Sequence, residues 1–198
     1  PFNRLTAFAT PQVRAYPHDP ALAKRLLAEA GYKGQPLRLL GLPYGEVWAR
    51  SGEMIKQNLL SAGLNVQQVS ADVPGTISRQ ANWDFDLAFT YFFQYGDPAL
   101  GLARNYVSSE IRKGSPFNNV GGYQNPKADA LFERGSREHD PRKRAEIYAE
   151  LQRAMVDDVA AAWLLEMNFP TVYRNRVGNL INSGLGLNDS LARATLRN

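Results

Sequence analysis

Three aspartates lie close together in the sequence and raise the question of acid–base chemistry. Asp84 and Asp86 are two residues apart, and Asp97 precedes Pro98. Carboxylates gathered in one pocket can act as general acid and general base, so these three would suit a small stand-alone hydrolase. Their spacing favours a simpler interpretation. Asp84 and Asp86 fall on the water-facing side of an alternating strand pattern, and Asp97 stands where a cap is expected.

The segment that follows the first two aspartates combines aromatic rings with one amide. It reads Tyr-Phe-Phe-Gln-Tyr-Gly-Asp over residues 91–97. Ligands of sheets with crossover connections bind at the carboxyl ends of the strands, and rings with an amide suit a small-molecule pocket there. The first candidate ligand contacts are therefore Phe92, Phe93, Gln94 and Tyr95. Any one of these rings could instead cover the edge of the core, so the prediction concerns the segment as a whole.

A second candidate group lies in the loop before Gly121 and Gly122. Asn118 and Asn119 could add amide hydrogen bonds to a ligand. Asparagines also form turns, and that interpretation is equally good. Trp48 shares the apolar face of a long predicted helix, so we expect it in the core and not as a stacking platform.

The sequence lacks the residues that several other kinds of site require. With no Cys, the chain has no disulfide and no thiolate ligand or nucleophile. The two histidines, His18 and His139, have no partner at metal-ligand spacing, so we predict neither a metal nor an organic cofactor. A net charge of +4 over 198 residues gives no indication of nucleic-acid binding. No apolar run is long enough to predict a membrane-spanning helix.

Alternating helices and strands must position the candidate residues. The pattern predicts helices at 20–30, 46–62 and 73–80 and strands at 37–42, 64–69 and 85–91. Asp19 caps the first helix, Pro20 opens it and Gly31 ends it. Strands separated by helices imply crossover connections and a largely parallel sheet, so the predicted fold class is α/β.

The second half of the chain is predicted to be less regular. Residues 96–122 have the composition of loops. Two helices are expected to begin at Asn125–Pro126 and at Asp140–Pro141. Apolar runs predict final strands at 160–165 and 169–173, followed by a short helix at 189–196.

Five segments in the same order resemble the family 5 extracellular solute-binding proteins, which are the peptide-, nickel- and related binding components of ABC importers. The segments are DPALAKRLLAEAGY, MIKQNLLSAGLNVQ, WDFDLAFTYFFQYGDP, GGYQNPKADALFERG and DPRKRAEIYAELQRAMVDDVAAAWLLE. The agreement as a whole spans about residues 15–178. Their common order is far more specific than any one short motif.

The resemblance implies a periplasmic-binding-protein-like lobe with a mixed, mostly parallel sheet flanked by helices. Family members are longer and have two lobes, and this sequence resembles the C-terminal one. The implied organisation is a crossover segment at 1–17, the α/β lobe at 18–176 and a tail at 177–198 that would return to the first lobe. The implied function is periplasmic capture of a small solute in a cleft and its delivery to an ABC permease, without catalysis. An export signal would then lie upstream of this chain.

Gln94 departs from the pattern of the peptide-binding members. In those proteins an aspartate stands three positions before the Asp or Glu of the Asp/Glu-Pro pair and holds the ligand's free amino group. Glutamine can donate and accept a hydrogen bond but carries no charge. Because a buried ammonium without a carboxylate partner is costly, a sugar or sugar conjugate is favoured over a peptide-like ligand. Nickel is not favoured, since no imidazole or soft ligand is offered.

Two further expectations concern partners. The ends of an isolated lobe would normally lie along the missing lobe, so a homodimer of the isolated lobe is predicted. A protein-interaction module is kept as an alternative function beside the hydrolase. It requires a large apolar patch away from the sheet-end pocket, whereas the hydrolase requires two carboxylates in one pocket with at least one perturbed pKa.

Overall fold

The computed structural model describes residues 1–167, 170–183 and 185–197. The chain forms two compact units, each assembled from separate stretches of sequence. Unit 1 consists of Pro1–Val13, Phe93–Ala103 and Leu131–Asn198, and unit 2 consists of Arg14–Phe92 and Arg104–Ala130. The domain boundaries expected after residues 17 and 176 stay predictions.

Unit 2 contains the parallel sheet that the sequence predicts. In chain order its elements are α1 (Pro20–Glu29), β1 (Leu37–Leu40), α2 (Glu46–Ser61), β2 (Val66–Val69), α3 (Val73–Asn82) and β3 (Leu87–Ala88). The strands run parallel in the order β2-β1-β3, with Leu37 opposite Val66 and Leu39 opposite Leu87. The α/β class is confirmed.

Side-chain caps begin the first and third helices. Asp19 Oδ1 accepts a hydrogen bond from the Leu22 N–H at 2.8 Å, before α1. Asp72 Oδ1 accepts one from the Gly75 N–H at 2.9 Å, before α3. Each bond satisfies a backbone donor that has no partner inside the first helical turn. The predicted start of α1 is therefore correct.

The core of unit 2 lies between the sheet and α2. It consists of Leu39, Leu42, Val66 and Phe89. Partly buried apolar side chains surround this cluster: Trp48, Ile55, Leu59, Leu64 and Leu87. Trp48 thus packs on the core, as its place on the apolar face of α2 predicts.

The strand predicted at 85–91 is much shorter in the structure. Only Leu87–Ala88 forms β3, although the Phe89 N–H still donates to the Leu40 carbonyl at 3.0 Å. Its neighbour β1 ends at Leu40, opposite Ala88, so residues 90 and 91 have no β1 residue beside them. The alternating side chains at 85–91 therefore continue beyond the end of the pairing.

Two later helices start where the sequence predicts. Two short 3₁₀ turns, Ala103–Asn105 and Ser108–Glu110, precede α4 (Pro126–Arg137) and α5 (Pro141–Asp157). Asn125 Oδ1 accepts a hydrogen bond from the Lys127 N–H at 2.8 Å. Asp140 Oδ1 accepts one from the Arg142 N–H at 2.9 Å, which caps α5.

Unit 1 is built around α5 and residues 1–13, which we call the N-terminal segment. The rings of Phe2 and Phe8 lie 5.8 and 5.4 Å from the ring of Tyr148, centroid to centroid. The buried Gln152 amide donates to the Phe8 carbonyl at 2.8 Å and accepts from the Thr10 N–H at 3.2 Å. The N-terminal segment is thus bound to one face of α5 by rings and by an amide.

The strand predicted at 160–165 is wrong. These residues are irregular, and Leu164 and Leu165 are 56% and 60% exposed. An apolar run forms a strand only beside another strand, and no strand among the described residues pairs with this run. Of the run predicted at 169–173, Phe169 lies outside the described residues, and residues 170–173 are irregular.

The helix predicted at 189–196 is also wrong. A 3₁₀ turn occupies Gly186–Asn188, and β5 (Thr195–Leu196) pairs antiparallel with β4 (Val177–Gly178). Asp189 and Ser190 side chains accept hydrogen bonds from nearby N–H groups, which favours turns over helix. Across the described ranges, no helix has both the length and the apolar character to cross a bilayer.

Candidate functional site

The aromatic segment after β3 begins inside unit 2. Phe89 is buried in the core cluster, and Tyr91 stacks on Trp48 with ring centroids 4.9 Å apart and planes inclined by 27°. Tyr44 approaches the edge of Tyr91 at 6.1 Å. Tyr91 therefore serves packing although it is 36% exposed, and Phe92, the last residue of unit 2, is 42% exposed.

Two further rings of the segment are exposed in unit 1. Phe93 is 52% and Tyr95 is 49% exposed. Their ring centroids lie 6.5 Å apart with planes inclined by 27°, so they present stacked faces. Gly101, at φ +81°, lies against Tyr95: a Cβ there would come within 3.2 Å of the ring. The tyrosine ring is thus positioned by a glycine as well as by its neighbour ring.

Gln94 is the polar centre of the segment, and its amide is engaged within unit 1. Oε1 accepts a hydrogen bond from the Asn3 N–H at 2.7 Å, and Nε2 donates to the Pro1 carbonyl at 3.0 Å. A carboxylate could accept the first bond but could not donate the second. Glutamine therefore fits this position because it can accept from Asn3 and donate to Pro1 at the same time. Contact between Gln94 and a ligand stays a prediction.

Asp97 and Arg144 brace the end of the segment. The guanidinium donates two hydrogen bonds to the carboxylate, at 2.6 and 2.8 Å, and its Nε donates to the Gly135 carbonyl at 2.7 Å. The Asp97 carboxylate also accepts from the Ala99 N–H at 2.9 Å. A bidentate pair of this kind stabilises the contact and also fixes the relative orientation of the two side chains. Asp97 is thus a brace for the loop, as its position before Pro98 indicates.

The electrostatics of Asp97 fit this structural role. Partial burial raises the pKa of its carboxyl group, but hydrogen bonds from Arg144 and Ala99, together with the guanidinium charge, hold the pKa below its usual value. The same ion pair raises the pKa of the Arg144 guanidinium. An aspartate that stays ionised in this way is not a proton donor near neutral pH.

Sequence reasoning missed Arg144. Its guanidinium lies over the rings of Phe8 and Tyr148, 5.0 and 5.3 Å from their centroids, and so joins the N-terminal segment, α5 and the Asp97 loop within unit 1. The spacing of Asp140, Arg144 and Tyr148 places all three on one side of a helix. That spacing could have indicated a polar cluster on α5, but the sequence does not show which distant carboxylate pairs with Arg144.

The two asparagines of unit 2 have different surroundings. Asn118 is partly buried and donates to a carboxylate oxygen of Glu110. Asn119 is buried: its Nδ2 donates to the carbonyls of Tyr106 and Tyr123 at 3.0 and 2.7 Å, and its Oδ1 accepts from the Tyr123 N–H. Asn119 therefore acts as an internal brace of its loop, whereas Asn118 lies nearer to solvent. Ligand contact stays a prediction for both.

Asp84 and Asp86 lie in ion pairs and not in a catalytic pocket. Arg38 binds both carboxylates, and Arg79 lies 2.8 Å from Asp84. The side-chain and backbone hydrogen bonds from Arg38 outweigh burial and lower the pKa of Asp86. Within the described residues no group of three or more His, Cys, Asp or Glu side chains is placed to hold a metal ion.

Known proteins resemble this chain over most of its length. A curated relative, Protein XP55 of Streptomyces lividans, is 29% identical over 177 residues, which are 81% of this chain and 31% of that protein. The periplasmic binding protein DppA of Helicobacter pylori, in complex with the peptide STSA, superposes with a TM-score of 0.73 at 18% identity, over 81% of this chain and 31% of that one. MoaA of A. tumefaciens R10, in complex with mannopinic acid, gives 0.69 at 20%, over 79% and 32%.

These two structural likenesses establish the fold, a periplasmic-binding-protein fold, and the chain spans about a third of the length of the proteins it matches. The family model described as "Bacterial extracellular solute-binding proteins, family 5 Middle" matches residues 3–113, more than half of the chain. The chain therefore belongs to the family 5 bacterial extracellular solute-binding proteins.

Proposed function

We propose that this chain is a ligand-contacting part of the binding protein of an ABC importer. The whole protein would capture a small solute outside the cytoplasmic membrane, in the periplasm, and deliver it to a membrane permease. Membership of family 5 supports this role, because the family consists of solute-binding proteins. The protein would act by binding alone, without a chemical step.

The half-exposed rings of Phe93 and Tyr95 are the observation that carries the proposal. Adjacent exposed aromatic faces are the kind of surface that ligands and partners contact. This loop is held on both sides, by the Gln94 amide on residues 1–3 and by the Asp97–Arg144 ion pair. A braced loop presents its rings in one geometry, which reduces the entropy lost when a ligand binds. Unit 2 offers its own candidates, Phe92 and Asn118.

The ligand class follows from the charge of the segment. Gln94 carries no charge, and its amide already bonds to main-chain atoms, so it lacks the carboxylate that would balance a free ammonium group. Stacked aromatic faces instead suit the apolar face of a sugar ring or the planar groups of a conjugate. The same fold binds a peptide in DppA and mannopinic acid in MoaA. We favour a sugar or sugar conjugate, with a peptide-like ligand as the alternative.

Isothermal titration calorimetry of the full-length protein tests the ligand class. The probes are a neutral oligosaccharide, an unmodified tripeptide and the same tripeptide N-acetylated. We expect the oligosaccharide to bind and acetylation to change the affinity of the tripeptide by no more than about twofold. Tight binding of the free tripeptide that is lost on acetylation would overturn the proposed ligand class.

Ring removal tests the site itself. In the full-length protein we expect Phe93→Ala and Tyr95→Ala each to weaken the best ligand by about tenfold, a typical effect for a buried aromatic contact. Tyr16→Ala removes a similarly exposed ring elsewhere, in unit 2, and is the matched control. Equal affinities for all three variants would show that the segment does not contact the ligand.

The alternatives are less well supported by the geometry. The hydrolase needs a free carboxylate pair, but Arg38, Arg79 and Arg144 occupy all three aspartates. An interaction surface is compatible with the proposed role. Exposed apolar side chains in unit 1, including Leu164, Leu165 and Val172, would contact the remainder of a longer protein. A homodimer of the isolated lobe through such a surface stays a prediction, which sedimentation at micromolar concentration would test.

A further inference from the structure

Gln152 is a buried amide on α5 whose side chain reaches main-chain atoms of the N-terminal segment. It is 1% exposed, and its Nε2 donates to the carbonyls of Phe8 and Tyr148 at 2.8 and 2.9 Å. Its Oε1 accepts from the Thr10 N–H at 3.2 Å. These bonds engage the donors and the acceptor of the amide, as burial of a polar group requires. Two of the three partners belong to the N-terminal segment, so the amide fixes that segment to α5.

The backbone of Phe8 is strained where Gln152 holds it. Its φ is +66°, in the left-handed region that bulky residues rarely adopt. A residue keeps such a conformation only where the surrounding structure holds it from several sides. Arg144 and Tyr148 hold the Phe8 ring, whereas the Gln152 amide binds its carbonyl and so acts on the main chain itself. Without that bond, the backbone of Phe8 is freer to relax to a negative φ.

Residues 1–7 of the N-terminal segment bind the chain on both sides of Tyr95. The Gln94 amide, on one side, bonds to main-chain atoms of residues 1–3. On the other side, the Ala7 N–H donates to the Gly96 carbonyl at 3.1 Å. Gly96 has a φ of +87°, so the loop changes direction directly after Tyr95. The place of this half-exposed ring therefore depends on where residues 1–7 lie.

The two sets of contacts meet at adjacent residues, because Ala7 directly precedes Phe8. A change in the φ of Phe8 turns residues 1–7 relative to α5. Hydrogen bonds weaken steeply when donor and acceptor lose their alignment. A turned segment therefore cannot keep its bonds to Gln94 and Gly96 unless the loop between them moves as well.

We propose that Gln152 is a positioning residue of the ligand site. It holds Phe8 in its strained conformation, and residues 1–7 in turn hold the loop that presents Tyr95. This role rests on the function proposed above, in which Tyr95 contacts the solute, while Gln152 acts only through the N-terminal segment. An amide that merely filled the interior of unit 1 could be replaced without displacing Tyr95.

Fluorine nuclear magnetic resonance of the full-length protein, with meta-fluorotyrosine at position 95 alone, tests the coupling without any ligand. We expect Gln152→Leu to shift or broaden the position-95 signal under conditions where the variant is folded. Leu131→Ala is the matched control, because it removes a buried side chain of α4 that makes no hydrogen bond. Its position-95 signal should be unchanged. An unchanged signal in folded Gln152→Leu, or an equal change in both variants, would overturn the proposal.

Gln152→Glu adds a rescue by protonation. A protonated carboxyl group can donate to the Phe8 carbonyl and accept from the Thr10 N–H, whereas a carboxylate can only accept. We expect the parent signal at low pH and a displaced signal once the carboxyl group ionises, with the parent protein measured at each pH. This titration decides the proposal if Gln152→Leu does not fold. A position-95 signal that stays like the parent's through the ionisation would then refute it.

Calorimetry connects the coupling to binding, with the neutral oligosaccharide and the free tripeptide named above as probes. Gln152→Leu should weaken the probe that binds by about tenfold, as much as loss of the Tyr95 ring itself, and Leu131→Ala should not. Unchanged affinity in Gln152→Leu beside a tenfold loss in Tyr95→Ala would overturn the positioning role. If Tyr95→Ala leaves binding unchanged, the proposed function is wrong, and the fluorine signal still decides whether Gln152 positions Tyr95.

Discussion

Unit 2 and unit 1 differ in the interactions that join the segments inside each unit. In unit 2 a backbone ladder and an apolar cluster join elements that follow one another in the sequence. In unit 1 individual polar side chains reach across long separations: Gln94 to Pro1, Arg144 to Asp97 and Gln152 to Phe8. Unit 1 also buries apolar side chains of α5, and the Ala7 N–H donates to the Gly96 carbonyl at 3.1 Å. The difference teaches that the loop carrying the exposed rings of Phe93 and Tyr95 is held by contacts between residues far apart in the sequence and not by a strand ladder.

The largest expected effect is in the core of unit 2. Leu39→Ala removes a side chain that is 2% exposed at the centre of the cluster and leaves a cavity. We expect a loss of about 3–5 kcal/mol in the free energy of unfolding, measured by denaturant titration. Met54→Ala, on the exposed side of α2, should cost far less. A loss below about 1 kcal/mol for Leu39→Ala would show that the core repacks.

Breaking the polar centre of unit 1 should cost somewhat less. Arg144→Ala leaves the Asp97 carboxylate unpaired and removes the cation from the rings of Phe8 and Tyr148. Since the pair is partly exposed, we expect a loss of about 2–3 kcal/mol, below that of a fully buried pair. Hydrogen exchange should locate the loss at residues 93–99.

Arg38→Ala is the matched control for that change, because it removes an ion pair on the surface of unit 2. Both Arg38 carboxylate partners are substantially exposed, and we expect a clearly smaller loss of stability. Equal losses for the two arginine variants would contradict the distinction between the units.

Gln94→Glu should have a moderate effect, since it keeps the shape of the side chain but removes the donor to the Pro1 carbonyl. Two acceptors would then face each other, at a cost of about 1–2 kcal/mol. Gln67→Glu is the exposed control in unit 2. In the full-length protein, the negative charge that Gln94→Glu introduces should raise the affinity for a free tripeptide relative to its N-acetylated form. No change in that ratio would contradict the proposed reason for a neutral ligand.

The smallest expected effect is a pH dependence. The pKa of Asp97 is lower in the folded chain than in the unfolded one, so the unfolded state takes up a proton first as the pH falls. The stability that this carboxylate contributes is present above about pH 4 and is lost as the pH falls further, through its folded-state pKa. Asp97→Asn should flatten the fall in melting temperature between about pH 5 and pH 3. An unchanged pH profile would contradict the assignment.

The sequence predicted the parts of this molecule that depend on local patterns. Apolar periodicity located α2, and the Asp-Pro pairs marked the starts of α1 and α5 within a residue of their observed bounds. The aromatic segment was recognised because its rings follow a strand. Each of these signals lies within about twenty residues of chain.

What could not be predicted depends on distant partners. The strand predicted at 160–165 does not form, because no strand of the described sheets lies beside these residues to pair with them. The hydrogen-bond partners of Gln94 and Arg144 could not be predicted, because they lie 93 and 47 residues away in the sequence.

The way in which Gln94 and Gln152 hold the N-terminal segment has a consequence for sequence variation. Both amides bind main-chain atoms of residues 1–10, and every residue except proline has the same main-chain N–H and carbonyl groups. Leu5 and Ala9, whose N–H groups donate to Asn3 and Thr6, should therefore tolerate most replacements other than proline. Phe2 and Phe8, which pack on Tyr148, should not. The constraint falls on the two glutamines, so a segment of quite different composition could be grafted onto this surface provided that it keeps the two rings.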